Sequence, residues 1–198
     1  MFTPTLSCNL YRLESLQESH IKDLRKVANH PDIWPYVRPP EQPLDDFIQS
    51  YLKNRLEAHH NKSTFAYVSK RNDTQEIVGS TSYYDISEEN KRLAIGFTWY
   101  HPNYWGCGLN VELKFLLLSQ VFETLNWNRA EFHIDSRNSR SISAMTYLGA
   151  QKEGVLRKHK LTQGTFIRDT VVMSIIKDEW PAVKEKLLSR MPTKYTKT

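Results

Sequence analysis

The feature that most constrains the fold is a strand, a loop with two glycines and a long amphipathic helix, in that order, within residues 93–125. The strand is predicted over residues 93–100, and the loop carries Gly106 and Gly108. Apolar residues then recur with the spacing of a helix that buries one face, at Leu109, Leu113, Leu116, Leu117, Val121 and Leu125. The helix is therefore predicted to begin close to Gly108.

A helix that begins at a glycine-rich loop can bind an anion, because its first backbone N–H groups are free and the glycines let the anion approach. Spacing excludes two nucleotide-binding motifs. A P-loop requires Gly-Lys-Ser/Thr where Leu109 and Asn110 stand. A dinucleotide fingerprint requires a third glycine where Val111 stands, and a tight turn directly after the strand. The loop is therefore predicted to hold a phosphate in another way.

The run Tyr104-Trp105-Gly106-Cys107-Gly108 resembles the pyrophosphate loop of the GNAT superfamily of N-acetyltransferases. The RimJ/RimL-type branch is the most similar, because it typically has Tyr-Trp-Gly-x-Gly there; one departure is Asn110, where Gly or Ala is usual. Other family motifs follow at the usual intervals, namely Asn138-x-x-Ser141, Leu148-Gly149, Glu153-Gly154-x-Leu156-Arg157-x-His159, Arg168-Asp169-Thr170-Val171-Val172-x-Ser174-Ile175 and Glu179-Trp180. The resemblance covers residues 9–191 and implies transfer of an acetyl group from acetyl-CoA to an amine.

The predicted order of elements also matches an α/β (α+β) GNAT fold. This fold has a mixed central sheet of about seven strands flanked by helices. The resemblance implies that the central pair of strands is splayed. Strands are predicted over residues 9–16, 65–69, 77–84, 93–100, 129–136, 155–161 and 166–176. Helices are predicted over residues 18–29, 44–56, 109–126 and 139–148, with a last helix that begins at Trp180.

Length and composition predict one domain over residues 1–191 with a loose tail over 192–198. The chain has 198 residues, of which 39% are hydrophobic and 25% are charged. Its aliphatic runs are too short to span a bilayer, and its first residues lack the features of a signal peptide, so a cytoplasmic location is expected. The two cysteines and seven histidines have no ligand spacing, so no metal is predicted.

The positive charge is concentrated in the second part of the chain. The first 124 residues contain 13 Lys/Arg and 15 Asp/Glu, whereas the remaining residues contain 14 and 7. Such a region could bind nucleic acid or the phosphates of a cofactor. The cofactor is favoured because the basic residues are not interleaved with an aromatic recognition motif, so nucleic acid is an unlikely partner.

The resemblance implies which residues hold acetyl-CoA. Backbone amides of the glycine loop would bind the pyrophosphate, and the pantetheine arm would pair with the backbone of residues 98–100, where one N–H is the candidate oxyanion donor. The cofactor-binding prediction comprises Thr98, Trp99, Tyr100, Trp105, Gly106, Cys107, Gly108, Leu109, Asn110, Asn138, Arg140 and Ser141.

Catalytic groups are predicted separately for the two proton transfers. Many GNAT enzymes protonate the departing thiolate with a tyrosine seven residues after the motif asparagine, and Met145 stands there. Ser141 is the predicted substitute, with helix capping as its structural alternative. For the base, His133 and Asp135 share a strand face with Glu131, and histidine has a suitable ordinary pKa. Water alone is the alternative for an α-amine acceptor.

The acceptor side is predicted less specifically. Trp34 and Tyr36, in the proline-rich segment 30–43, and Tyr83 are the candidate substrate contacts, although an ordinary packed connector is the more frequent explanation of such a segment. The acceptor could be a protein N-terminus or a small amine, and the protein a monomer or a homodimer. A non-catalytic acyl-CoA-binding module, suggested by Met145, is the alternative function.

Overall fold

Eight strands form one mixed sheet in the computed structural model, which describes residues 2–194. The strands lie in the order β1-β2-β3-β4-β5-β6-β8-β7, and among them only β5 and β6 pair in parallel. Their bounds are Thr5–Ser7 (β1), Tyr11–Ser15 (β2), Thr64–Arg71 (β3), Ile77–Ser87 (β4), Arg92–Tyr100 (β5), Arg129–Asp135 (β6), Gln151–Thr162 (β7) and Phe166–Ile176 (β8).

Five α-helices of the described chain flank the sheet, namely Ile21–Ala28 (α1), Leu44–His60 (α2), Leu109–Ser119 (α3), Ser139–Leu148 (α4) and Trp180–Ser189 (α5). Helix α3 continues as a π-helical turn over Gln120–Thr124. Helix α4 ends at Gly149, whose φ of 110° is the left-handed C-cap conformation that glycine adopts without a Cβ penalty. The predicted helices are therefore present, with ends that differ by a few residues.

The two faces of the sheet bury separate apolar clusters. Helices α1 and α2 cover one cluster, which contains Trp34 and Trp99. Helices α3, α4 and α5 cover the other cluster, in which Leu113 and Leu117 of α3 are fully buried. Because both faces are covered, the central strands are largely apolar, and a gap between strands is one place where a site can open.

The gap lies between β5 and β6. These strands pair only over Arg92–Ala94 and Arg129–Glu131, although β5 continues to Tyr100 and β6 to Asp135. The β4–β5 register also shifts between Ser80 and Ser82. The predicted GNAT fold with a splayed central pair is confirmed.

The prediction of about seven strands is one strand short, because β1 was not predicted. Its three residues, Thr5–Ser7, are too few to show an alternating pattern, and the strand exists by pairing with β2 at the edge of the sheet. Of the predicted tail, residues 192–194 are described, and a Cβ placed on Gly108 would lie 3.0 Å from Pro192. Residues 195–198 lie outside the described chain.

Two features are absent from residues 2–194. No helix there is both long enough and apolar enough to cross a membrane. No group of three or more His, Cys, Asp or Glu side chains there is arranged to hold a metal ion.

Candidate active site

The glycine loop between β5 and α3 forms a cradle at the N-terminus of α3. Gly106 and Gly108 have φ values of 74° and 87°, which lie in the left-handed region that side chains disfavour. The helical bonds begin where the amides of Val111 and Glu112 donate to the Gly108 carbonyl, at 3.0 and 3.2 Å. The amides that precede Val111 therefore lie outside the series of helical hydrogen bonds. A Cβ on Gly106 would meet no atom within 4 Å, so the space beside this glycine is open.

Side chains under the loop fix its shape. The Trp105 indole donates to the Tyr100 carbonyl at 3.0 Å, and the Cys107 thiol donates to the Tyr104 carbonyl at 3.0 Å. The hydroxyl of Tyr100 donates to Asn110 Oδ1 at 3.4 Å. Cys107 is buried, so this residue can offer only its backbone to a ligand.

The N-terminus of α4 lies beside this cradle. Asn138 caps the helix, because its Oδ1 accepts from the Ser141 amide at 3.0 Å. Arg140 places its guanidinium carbon 3.6 Å from the centre of the Trp105 ring, a cation–π contact between the two loops. Since Asn138 provides the cap, the Ser141 hydroxyl is not needed for it. The structure thus places Arg140 against Trp105 of the cradle, with Asn138 and Ser141 in the same turn of α4.

A second group of side chains lies near the β5–β6 gap, on the face that α2 covers. His133 Nε2 is 2.9 Å from Glu131 Oε2, and the His133 ring lies 5.9 Å from that of Tyr84. The Phe97 ring lies 5.0 Å from Tyr84, and the Arg55 guanidinium carbon lies 3.8 Å from the centre of the Phe97 ring. The group combines residues of α2, β4, β5 and β6.

Glu131 is suited to orient the imidazole of His133. Burial alone would raise the pKa of Glu131, but hydrogen bonds from Arg129 and His133 outweigh it, and the pKa is lowered. The carboxylate is therefore ionised at neutral pH. A carboxylate at hydrogen-bond distance fixes the tautomer of an imidazole and leaves its other nitrogen free for proton transfer.

Comparisons with known proteins agree with this geometry. Residues 11–151 match the family model of the acetyltransferase (GNAT) domain. The chain belongs to the GNAT acetyltransferase family. The chain is 33% identical over 135 residues to p20 of Bacillus licheniformis, an uncharacterized N-acetyltransferase. The alignment covers 68% of this chain and 72% of p20. Family membership supports acetyltransferase activity.

Solved structures support the same assignment. A candidate acetyltransferase of T. thermophilus has a TM-score of 0.84 and 31% identity, over 96% of this chain and 98% of that chain. RimJ of Mycobacterium smegmatis, solved in complex with CoA-disulfide, has a TM-score of 0.79 over 93% of each chain. Its identity is 15%, so this likeness shows the GNAT fold alone.

Asp135 does not fit the predicted role of a base. Burial would raise its pKa, but the Arg137 side chain and amide outweigh burial, and the pKa is lowered. Arg137 donates to both carboxylate oxygens at 2.9 and 2.8 Å, and its guanidinium carbon lies 3.6 Å from the centre of the Phe166 ring. Asp135 therefore holds Arg137 in place, and His133 is the remaining candidate base in this GNAT protein.

Two of the three predicted acceptor contacts are inside the core. Trp34 is 2% exposed and donates to the Ala28 carbonyl at 2.8 Å, as a packed connector would. Tyr83 is fully buried and donates to the Leu117 carbonyl at 2.7 Å. These placements do not support acceptor contacts for Trp34 or Tyr83. Tyr36 is half-buried, and its ring centre lies 5.5 Å from the guanidinium carbon of Arg137.

Lys114 was not predicted as a site residue. It lies on α3 and is 2% exposed, and its Nζ donates to Thr98 Oγ1 at 3.2 Å. Burial lowers the pKa of Lys114 to about 7. One sequence signal could have indicated it, because Lys114 is the lone basic residue in a helix whose other residues are mostly apolar.

Proposed function

We propose that this protein transfers an acetyl group from acetyl-CoA to an amine, as an enzyme of the RimJ/RimL type. The observation that carries the proposal is the cradle formed by Gly106 and Gly108 at the N-terminus of α3, next to the gap between β5 and β6. The solved structure of RimJ from M. smegmatis in complex with CoA-disulfide supports a CoA ligand for this fold. Acetyl-CoA supplies the activated acetyl group.

The cradle and α4 account for binding of the donor. Amides of residues 106–110 point out of a positive helix end, which stabilises a pyrophosphate. Arg140 offers a further positive charge for the 3′-phosphate, and its stacking on Trp105 limits the freedom of its side chain. Asn138 and Ser141, at the first turn of α4, are suited to contact the amides of the pantetheine arm.

The edge of β5 that faces β6 accounts for placement of the thioester. Pairing with β6 ends at Ala94, so the backbone of Thr98, Trp99 and Tyr100 can pair with the pantetheine arm, apart from the Tyr100 carbonyl, which accepts from the Trp105 indole. A backbone N–H of this segment is the oxyanion donor in the proposal. The Trp99 side chain is buried with Trp34, so only its backbone takes part.

The opposite face of the gap would receive the amine. His133, oriented by Glu131, removes a proton from the ammonium form of the acceptor, so that the neutral amine can attack through the gap. Phe97 and Tyr84 provide an apolar wall beside it. The acceptor class stays open between a peptide N-terminus and a small amine, because the residues on this face do not select one.

Calorimetric titration with acetyl-CoA, and with free CoA for comparison, tests donor binding. We expect micromolar affinity for the wild type and a loss of about tenfold or more for Gly106→Val, because a β-branched side chain at positive φ distorts the loop. Gly164→Val is the matched control. Gly164 has a φ of 81° and equally open surroundings, but it lies between β7 and β8.

No binding by the wild type at millimolar acetyl-CoA would exclude the proposed function. Equal affinities of Gly106→Val and the wild type would exclude the cradle. For transfer itself, release of the CoA thiol is followed with N-terminal peptides and polyamines as acceptors.

A non-catalytic acyl-CoA-binding module is the second candidate, and Met145 is the observation that favours it. Met145 is buried and has no proton to donate, whereas many relatives have a tyrosine at this motif position. Acetyl transfer to any amine, or hydrolysis of acetyl-CoA, would exclude this alternative.

A further inference from the structure

Lys114 has a buried amine that donates a hydrogen bond to Thr98. Its Nζ lies 3.2 Å from Thr98 Oγ1, on the face of the sheet that α3 covers. Within residues 2–194 no carboxylate lies within 4.0 Å of this nitrogen. An ammonium has three N–H donors, so a protonated Lys114 is poorly solvated here. Burial is the cause of its lowered pKa.

Other titratable groups around α3 have partners of their own. These groups are Tyr11 of β2, Tyr83 of β4, Tyr100 of β5, Glu112 of α3, Cys107 of the cradle, Arg140 of α4 and the Glu123–Lys184 pair beside α5. Glu112 accepts from the amides of Leu10 and Tyr11, on the side of β1 and β2. None of these groups competes with Thr98 for the amine of Lys114.

The Thr98 hydroxyl connects Lys114 to the segment proposed to hold the thioester. Thr98 Oγ1 lies 2.7 Å from Thr81 Oγ1 and donates to the Gly96 carbonyl at 3.4 Å. If Thr98 accepts from Lys114 and Thr81, both of its lone pairs are used, and its own proton is held only by the long bond to the Gly96 carbonyl, which a stronger acceptor such as a thiolate can replace. Thr98 is half-buried, whereas Thr81 is fully buried, so the Thr98 hydroxyl is the more open of the two.

We propose that the Thr98 hydroxyl donates a proton to the thiolate of departing CoA, and that Lys114 is the positioning residue that returns this proton to Thr98. This inference rests on the proposed function. It supplies the proton that Met145 cannot supply. It also differs from a role for Ser141, because the contact of Ser141 with Asn138 is made by its backbone amide and involves no titratable side chain.

The proposed step balances in protons and electrons. As the C–S bond breaks, its electron pair stays on sulfur, and the sulfur takes the proton of Thr98 Oγ1. Lys114 Nζ passes one proton to Thr98 Oγ1 and becomes a neutral amine, which can then accept from the same hydroxyl. Lys114 regains a proton from solvent after the thiol leaves.

Two substitutions test the relay, Lys114→Met and Thr98→Val, which keep the approximate volume of each side chain. We expect either one to lower kcat at pH 7 by about tenfold or more, with acetyl-CoA affinity within about threefold of the wild type. The double variant should lose little more than either single variant, because the two residues act as one unit. Lys184→Met, which removes an exposed lysine, is the control and should leave kcat unchanged.

The pH profile separates the relay from a structural role. Lys114 must be protonated to act and its pKa is about 7, so kcat of the wild type should fall as the pH rises above about 7. Lys114→Met should lack this alkaline decline. Retention of the decline, or a kcat within about twofold of the wild type, would overturn the inference.

A measurement without turnover completes the test. In protein labelled with ¹³C-lysine, Lys114 is the Cε signal that disappears in Lys114→Met, and its titration gives its pKa. Binding of free CoA should shift that pKa, because the sulfur then contacts Thr98, which accepts from the ammonium. An unchanged pKa in the CoA complex would overturn this inference alone. Failure of the wild type to bind CoA would overturn the proposed function as well.

Discussion

Lys114 is held in surroundings that disfavour its charged form, and this has a consequence for stability. Its pKa is about 7 in the fold and about 10.4 in an unfolded chain. Between these values folding releases a proton, so Lys114 destabilises the fold increasingly as the pH falls from about 10 to 7. We expect Lys114→Met to raise the free energy of unfolding at pH 7 by about 2–4 kcal/mol, measured by urea denaturation.

The same measurement at higher pH checks the cause. The gain from Lys114→Met should shrink toward zero near pH 10, where the unfolded chain also loses the proton. Lys184→Met, at an exposed site, should show no such trend. A gain that is independent of pH would mean that packing, and not desolvation of the amine, is responsible.

The Glu131–His133 pair gives a second prediction at the scale of single residues. His133→Gln removes the base and should lower kcat for a lysine-like amine by about 10²-fold. Glu131→Gln should cost less, because the imidazole remains and loses only its oriented carboxylate. Steady-state kinetics at saturating acetyl-CoA measures both effects.

Asp135→Asn is the contrasting variant on the same strand. Because Asp135 is bound to Arg137, it should change stability more than turnover. Equal kcat values for His133→Gln and the wild type would leave solvent water as the base.

Among the elements, the first turn of α4 depends on one side chain. Asn138→Ala removes the oxygen that accepts from the Ser141 amide, and should lower the free energy of unfolding by about 1 kcal/mol. It should also weaken acetyl-CoA binding, because the start of α4 carries Arg140 to the cradle. Thermal denaturation and calorimetry measure the two effects. Asn138→Ser keeps a capping oxygen, so its stability should stay near that of the wild type.

The elements whose apolar residues recur at a regular spacing, or whose ends carry capping residues, could be predicted from the sequence. Helix α4 has the predicted bounds, Ser139–Leu148, because an Asn cap and a terminal glycine limit it on both sides. The shape of β5 was not predictable. Phe97 has a φ of 50°, which a non-glycine residue adopts at a cost, and it lies where the β4–β5 register shifts between Ser80 and Ser82.

The two halves of the candidate site differ in the same way. The cradle was predictable because Gly106 and Gly108 are close in sequence, and the positive φ of the loop explains why glycine stands at both positions. The amine side was not, since Arg55 and Tyr84 reach Phe97 from distant elements. The predictions for Trp34 and Tyr83 failed because sequence alone cannot separate an aromatic residue that lines a groove from one that fills the core.

At the scale of the whole molecule, one sheet separates two buried clusters. Strand β5 contributes Ile95 to the cluster under α3 and Trp99 to the cluster under α2. Loss of either cluster would expose one face of the same strand. The predicted single domain should therefore unfold as one cooperative unit, with the same midpoint by near-ultraviolet and far-ultraviolet circular dichroism.

Donor binding should shift that single transition as a whole. A ligand that binds only the folded state stabilises it by about 2.7 kcal/mol at a free concentration of 100 times its Kd. For a chain of this size, that free energy corresponds to a rise in Tm of about 5–10 °C. We expect this rise with acetyl-CoA in the wild type and in Gly164→Val, but not in Gly106→Val. Because both variants place a side chain at a positive φ, they share the backbone cost and differ in the cradle. Equal rises in the two variants would locate the donor away from α3.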